Sequence, residues 1–266
     1  MQPTSRLSRN VLPDSRIRGE ASDAMAIAAQ EPDACAADSS LLCFGPLHYE
    51  PNYHYPLFVW LHGPGEDERN LLSIMPEMSL RNYVAVAPRG LPTVVPQGGG
   101  TGKGIVGKEN DLRYVWADPS SDGRCDPDSL HRRVMTAIEE AKHRYSVALN
   151  RVFIGGAGPG GTAAMRVALM SPESFAGVLS LNGPAPRGGM PLARWSDARR
   201  LAVFLGAGIN TPSYPVSCVC DDLRLLHTAG FDVTLRHYPW GQNLHPTMLR
   251  DMNQWIMETM AMTRKV

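Results

Sequence analysis

Residues 151–166, RVFIGGAGPGGTAAMR, join an apolar run to a glycine-rich turn and then to helix-forming residues. Gly156, Gly158 and Gly161 have the G-x-G-x-x-G spacing of dinucleotide-binding loops, whose glycines let the backbone approach a pyrophosphate at a helix N-terminus. That pattern also requires an acidic residue about 20 residues later. The next apolar run ends at 181–183, LNG, without one. FAD or NAD binding through this loop is therefore the weaker of two interpretations.

The second interpretation is a nucleophile elbow, G-x-S-x-G, in which a strained turn between a strand and a helix presents the serine of α/β-hydrolases. Gly156, Gly158 and Gly160 occupy the three fixed positions of that motif, so Gly158 stands where the serine would be. The turn has the glycines of an elbow and no side-chain nucleophile.

The elements that must position this turn follow from the apolar runs. Residues 1–45, rich in Ser, Arg, Asp, Ala and Pro, are predicted to be a disordered leader, and 46–266 a single domain. Continuously apolar strands alternating with amphipathic helices favour a mostly parallel central sheet with helices on both faces. Between them, residues 91–128 are predicted to form a long loop. The predicted strands begin near residues 57, 83, 151, 176, 201 and 233.

The composition argues against several classes of protein. The 266 residues include 26 Lys plus Arg and 26 Asp plus Glu, a balance that argues against nucleic-acid binding. No apolar run reaches the roughly 18 residues of a membrane span, and the N-terminus lacks the order of a signal peptide, so we expect a cytoplasmic protein. The five scattered cysteines do not indicate a disulfide framework. We expect no metal and no cofactor.

Five segments in order resemble the phospholipase/carboxylesterase branch of the α/β-hydrolases, which includes acyl-protein thioesterases and polyhydroxybutyrate-depolymerase-like esterases. The resemblance implies the α/β-hydrolase fold from about residue 55 to residue 257. The five segments are 59–63 (VWLHG), 86–90 (VAPRG), 154–178 around the elbow, 205–215 and 238–246.

The same resemblance implies a triad in the order Ser, Asp, His, and all three positions are substituted. The serine position is Gly158, the aspartate position is Thr211, and the histidine position is Gln242. Thr211 has no charge to stabilise an imidazolium, and the amide of Gln242 cannot act as a general base near pH 7. His245, three residues later, is the candidate for rescue, although a helix cap before Pro246 explains it more simply.

The oxyanion hole is expected to lack its donors as well. One donor is the backbone N–H of the residue after the nucleophile, here Pro159, and proline has none. The other comes from the loop after the early strand, where Gly63 is followed by Pro64. Gly65 is the nearest substitute in a reshaped loop. Loss of one such donor costs about 3–4 kcal/mol of transition-state stabilisation.

The sequence therefore predicts a catalytically degenerate carboxylesterase-like homologue that keeps its cleft and serves in ligand binding or regulation. The expected ligand is a small ester-like or anionic molecule, because a glycine turn at a helix N-terminus attracts anions. Two alternatives stay open: an active carboxylic-ester hydrolase that uses His245, and the dinucleotide binder described above.

Overall fold

The computed structural model describes residues 41–94, 112–116, 126–188, 194–241 and 243–263. Its main sheet has seven strands in the order β1-β3-β2-β6-β7-β8-β9, parallel except for β1. The strands of this sheet are β1 Leu41–Phe44, β2 Tyr55–Leu61, β3 Val84–Pro88, β6 Val147–Ala157, β7 Gly177–Leu181, β8 Ala202–Gly208 and β9 Asp232–Tyr238.

Helices cover both faces of the sheet. Alternate residues of β2 face opposite ways. Leu57 and Val59 pack in one core with the helices Pro127–Arg144 and Pro159–Met170. Phe58 and Trp60 pack in a second core with the helices Leu71–Met78 and Pro246–Thr263. This architecture confirms the predicted α/β fold class. The helices are α1 Leu71–Met78, α2 Pro127–Arg144, α3 Pro159–Met170, α4 Trp195–Ala198, α5 Val216–Thr228 and α6 Pro246–Thr263, with single 3-10 turns at Glu68–Asn70 and Pro172–Ser174.

The structure differs from the prediction in two places, the start of the domain and the loop predicted at 91–128. The domain begins before residue 46, because Leu41–Phe44 forms the edge strand β1, antiparallel to β3 with Leu41 opposite Pro88. Phe44 is buried in the same core as Phe58 and Trp60, so a short apolar stretch supplies an edge strand that composition did not reveal. Residues 1–40 of the predicted leader lie outside the described residues.

The region predicted as one loop at 91–128 contains a hairpin. Its strands, β4 Leu91–Val94 and β5 Leu112–Val115, pair antiparallel. Helix α2 then begins at Pro127, where the Asp126 side chain accepts a hydrogen bond from the N–H of Asp128. The rest of the predicted loop, 95–111 and 117–125, lies outside the described residues. Across the described ranges, no helix is long and apolar enough to cross a membrane.

Helix α3 packs against the ends of β2 and β6 so closely that only glycine fits. A Cβ at Gly160 would overlap the carbonyl oxygens of Leu61 and His62, and one at Gly156 would overlap the Gly160 backbone. This backbone-to-backbone contact fixes where the turn at Gly158 stands above the sheet.

We therefore expect Gly160→Ala to destabilise the protein. The added methyl meets backbone that cannot move aside, and such overpacking costs about 1–3 kcal/mol, although alanine alone would favour the helix. Gly241→Ala is the matched control, because a Cβ there would meet only Asn210 O, at 3.4 Å. Urea denaturation of the two variants measures the difference. Equal free energies of unfolding would show that the helix can shift away from β2.

Candidate functional site

The turn between β6 and α3 has the backbone of a nucleophile elbow. Gly158 lies between the two elements with φ +52° and ψ −121°, a conformation that L-residues rarely adopt. Its N–H donates to Leu181 O at 2.7 Å, and its carbonyl accepts from Thr162 N at 3.1 Å. A Cβ at this position would have Pro64 Cδ as its nearest neighbour, at 3.5 Å. The turn is thus shaped to present a side chain that the sequence does not provide.

The backbone donors expected beside an elbow are absent or already used. Pro159 is the first residue of α3 and has no N–H. The N–H of Gly63 donates to Glu66 Oε2 at 2.9 Å, so this amide is already paired within the chain. Pro64 follows without an N–H. Gly65 is exposed, with φ +77°, and is not among the cleft-lining residues in the described part of the chain.

Two neutral side chains, Thr211 and Asn182, pair at the position that the resemblance assigns to the catalytic aspartate. Thr211 is buried, and its Oγ1 donates to Asn182 Oδ1 at 3.4 Å. The same Oδ1 accepts from Gly208 N at 2.8 Å, so the end of β7 is tied to the end of β8. Asn182 itself has φ +54°, a conformation that asparagine tolerates better than most residues. Sequence reasoning missed Asn182, and the only signal for it was an Asn-Gly pair after a strand.

The loop after β9 also lies beside the end of β8. A Cβ on Gly208 would overlap the carbonyl oxygens of Trp240 and Gly241, so the loop before α6 lies against the end of β8. The structure thus brings the regions of Gly158, Thr211 and Gly241 together at the carboxyl ends of the strands, as the resemblance implies. Gln242 lies outside the described residues.

His245 acts as a helix cap. Its Nδ1 accepts a hydrogen bond from Thr247 N at 3.2 Å, and its carbonyl accepts from Met248 N at 2.8 Å. The ring stacks on Trp240, with centroids 3.7 Å apart and planes 9° apart. Both contacts hold the imidazole at the start of α6, and among the described residues it does not line the cleft. The contacts that the described residues make with His245 are those of a helix cap.

A cleft of about 480 Å³ opens beside the elbow. Its charged lining residues are the carboxylates Glu66 and Glu77; the described lining includes no lysine or arginine. This charge disfavours the anionic ligand that the glycine turn led us to expect. The neutral polar lining comes from Asn70, Ser73, Asn182 and Asn243, and the larger apolar side chains are Ile74, Leu244 and Leu249.

His62 supports one side of the cleft from below. Its Nδ1 contacts Gly63 O at 3.0 Å, and its Nε2 accepts from Gly90 N at 3.1 Å, which assigns the ring proton to Nδ1. Trp116 lies against the ring at 4.6 Å and donates from Nε1 to His62 O at 2.9 Å. Burial lowers the pKa of His62 despite the nearby carboxylates of Asp67 and Glu68, so the neutral ring is the structural form.

An ion pair holds the neighbouring turn. Arg89 donates from Nε to Glu68 Oε2 at 2.6 Å and makes a second bond to the other oxygen of this buried carboxylate. The guanidinium also lies over the ring of Tyr114, 4.8 Å from its centroid. The pairing fastens the 3-10 turn before α1 to the end of β3 and to the hairpin. Arg89 of the VAPRG segment thus has a structural role.

The glycines of the dinucleotide pattern have structural explanations. Gly156 and Gly160 allow the contact between α3 and β2, and a Cβ at Gly161 would overlap Ser180 Oγ. Helix-to-sheet packing therefore accounts for the spacing without a bound pyrophosphate. Among the described residues, no group of three or more His, Cys, Asp or Glu side chains is placed to hold a metal ion.

No protein-family model matches the sequence. Solved structures do resemble it. A carboxylesterase from Bacillus cereus is 20% identical, with 84% of this chain and 95% of that chain covered and a TM-score of 0.63. A phospholipase/carboxylesterase from Dyadobacter fermentans is 15% identical, with coverage of 85% and 100% and a TM-score of 0.60.

Acyl-protein thioesterase 2 from Zea mays is 16% identical, with 83% of this chain and 98% of that chain covered and a TM-score of 0.60. Together with the sheet order, these likenesses confirm the α/β-hydrolase fold and its similarity to carboxylesterases and thioesterases.

The burial of His62 predicts a specific pH dependence of stability. Its pKa is lowered in the folded protein and stays near 6.5 in the unfolded chain. Below pH 6.5 the unfolded chain therefore binds more protons, and the folded state loses stability as the pH falls. Between pH 7 and pH 5 the free energy of unfolding of the wild type should fall further than that of His62→Asn, by about 1 kcal/mol.

Urea denaturation at several pH values measures this difference, with His143→Gln, an exchange of an exposed histidine, as the control. If His143→Gln changes the pH dependence as much as His62→Asn does, the assignment to His62 is wrong.

Proposed function

We propose that this protein is a catalytically degenerate α/β-hydrolase that binds a small molecule in the cleft beside Gly158. The observation that carries the proposal is the state of the elbow: a glycine at the nucleophile position, a proline after it, and the Gly63 amide bonded to Glu66. Nucleophile and oxyanion donors are thus lost together, while the turn that would present them persists.

The loss extends to the groups that would activate a nucleophile. A serine hydrolase needs a base to take the hydroxyl proton and an acid to orient that base. Thr211 pairs with an amide, which leaves no carboxylate at the acid position. His245 is held as a cap against Trp240, and Gln242 is by residue type not a base. No nearby pair in the described part of the site matches nucleophile and base.

The cleft and the hydrogen bonds that hold its walls support a binding role. The cleft has a volume of about 480 Å³, within the usual range for small-molecule sites. Buried hydrogen bonds tie its walls: Asn182 joins the ends of β7 and β8, and Glu66 fixes the loop after β2. Amide and apolar groups line the same space, which is the mixture that orients and holds a small ligand.

We expect purified wild-type protein to hydrolyse p-nitrophenyl acetate no faster than a heat-denatured sample, because the chain has no activated nucleophile at the elbow. Gly158→Ser should stay at the same background: the hydroxyl would have no general base and no oxyanion donor beside it. A fluorophosphonate probe should likewise leave the intact mass of the wild type unchanged.

Turnover well above the heat-denatured control would contradict the proposal. If that turnover were lost in His245→Ala, the alternative of an active ester hydrolase with a relocated apparatus would take its place. Folding of each variant is checked by circular dichroism, since loss of the His245 cap alone costs about 1 kcal/mol of stability.

A further inference from the structure

The charged side chains of the cleft, Glu66 and Glu77, lie along one of its walls. Asn70, Ser73 or Ile74, and Glu77 follow one another at intervals of three or four residues along the 3-10 turn and α1, which places them on one side of that helical segment. Glu66 lies in the loop just before the 3-10 turn and lines the same cleft. The wall therefore presents a carboxylate at each end, with amide, hydroxyl and apolar groups between them.

Glu66 is fixed in place and remains able to bind. Its Oε2 accepts from Gly63 N and its Oε1 from Asn70 Nδ2, each at 2.9 Å. Each carboxylate oxygen has two acceptor sites, so both keep a second one. Asn70 is fixed in turn, because its Oδ1 accepts from Trp60 Nε1 at 2.8 Å. A carboxylate held by two donors is an orientated acceptor for a further N–H group.

Glu77 lies at an electrostatically unfavourable position of its helix. It lies in the last turn of α1, which contains no basic residue, and the negative end of the helix dipole repels a carboxylate there. Glu77 is exposed and borders the cleft. Its charge and the carbonyl end of α1 add to the negative potential of the same wall.

The described lining contains no cationic side chain, and the backbone positions expected for an oxyanion hole supply no free N–H. Pro64 and Pro159 have no N–H, and the N–H of Gly63 is bonded to Glu66. Gly160 and Gly161, which follow in the first turn of α3, are buried and are not among the described lining residues. Neither residue therefore contributes a backbone N–H to the described lining.

We propose that the cleft selects a small organic cation, an ammonium or guanidinium compound with a compact apolar portion, over carboxylates and neutral esters. The inference rests on the ligand-binding function proposed above and names its ligand class. The cationic group donates to Glu66 and lies in the negative potential of Glu77. The apolar portion packs against Ile74, Leu244 and Leu249 on the other lining surfaces.

Three probes of nearly equal size test the charge preference: 2-phenylethylammonium, 2-phenylethanol and 3-phenylpropanoate. Titrations followed by the methyl NMR signals of Ile74 and Leu249 give the dissociation constants. We expect the ammonium to bind about fivefold more tightly than the alcohol, the gain from one charge pair in a water-like dielectric, and the carboxylate to bind most weakly.

Glu77→Gln should weaken binding of the ammonium by about twofold, the contribution of a carboxylate about 8 Å from the cation in a water-like dielectric, and leave the alcohol unaffected. Glu258→Gln is the matched control, an exposed glutamate on α6 that bonds to Gln254 and does not line the cleft. It should change neither dissociation constant. An equal loss in both variants would mean a non-specific effect of net charge and would overturn the proposal.

The outcomes separate the two proposals. If the carboxylate or the alcohol binds as tightly as the ammonium, the charge preference is wrong and the ligand-binding function stands. If none of the three probes moves the signals of Ile74 and Leu249, the binding function of the cleft fails together with its ligand class.

Discussion

The structure depends on one close approach of backbone to backbone. The first turn of α3 lies against the end of β2, where any side chain at Gly160 would overlap the carbonyls of Leu61 and His62. Because the turn at Gly158 links β6 to that helix, its height above the sheet is set by this contact. The loops after β7 and β8 then close around it, through the bond from Gly158 N to Leu181 O and the bonds of Asn182.

Fold and chemistry are separable in this molecule. The segments that resemble carboxylesterases keep the residues that hold backbone in place: His62 joins two loops, and Arg89 pairs with the buried Glu68. The positions that the resemblance assigns to the triad hold Gly158, Thr211 and Gln242. Nearby, the amide of Gly63 donates to the carboxylate of Glu66, and this bond fixes the loop after β2.

The sequence predicted the parts of this arrangement that are local. Continuous apolar runs gave the strands of the parallel sheet, and glycine spacing gave the turn, because both depend on neighbours along the chain. The edge strand Leu41–Phe44 and the β4–β5 hairpin were missed, since pairing partners distant in sequence make them. The charge of the cleft was also missed. Gly158 suggested an anion site from its place at a helix start, whereas the carboxylates of Glu66 and Glu77, from a loop and a helix distant in sequence, line the same cleft.

The backbone of Gly158 shows what maintains an elbow. A serine at positive φ carries backbone strain, of order 1–3 kcal/mol at such positions, and its function is the usual reason for that strain to persist. Glycine can adopt many other conformations and carries no side chain that would hold this one. Gly158 nevertheless keeps φ +52° and ψ −121°. The bonds to Leu181 and from Thr162, with the fixed position of α3, are therefore sufficient to impose the turn. The conformation of the elbow is thus a consequence of how the helix packs on the sheet, and no side chain at position 158 is needed to maintain it.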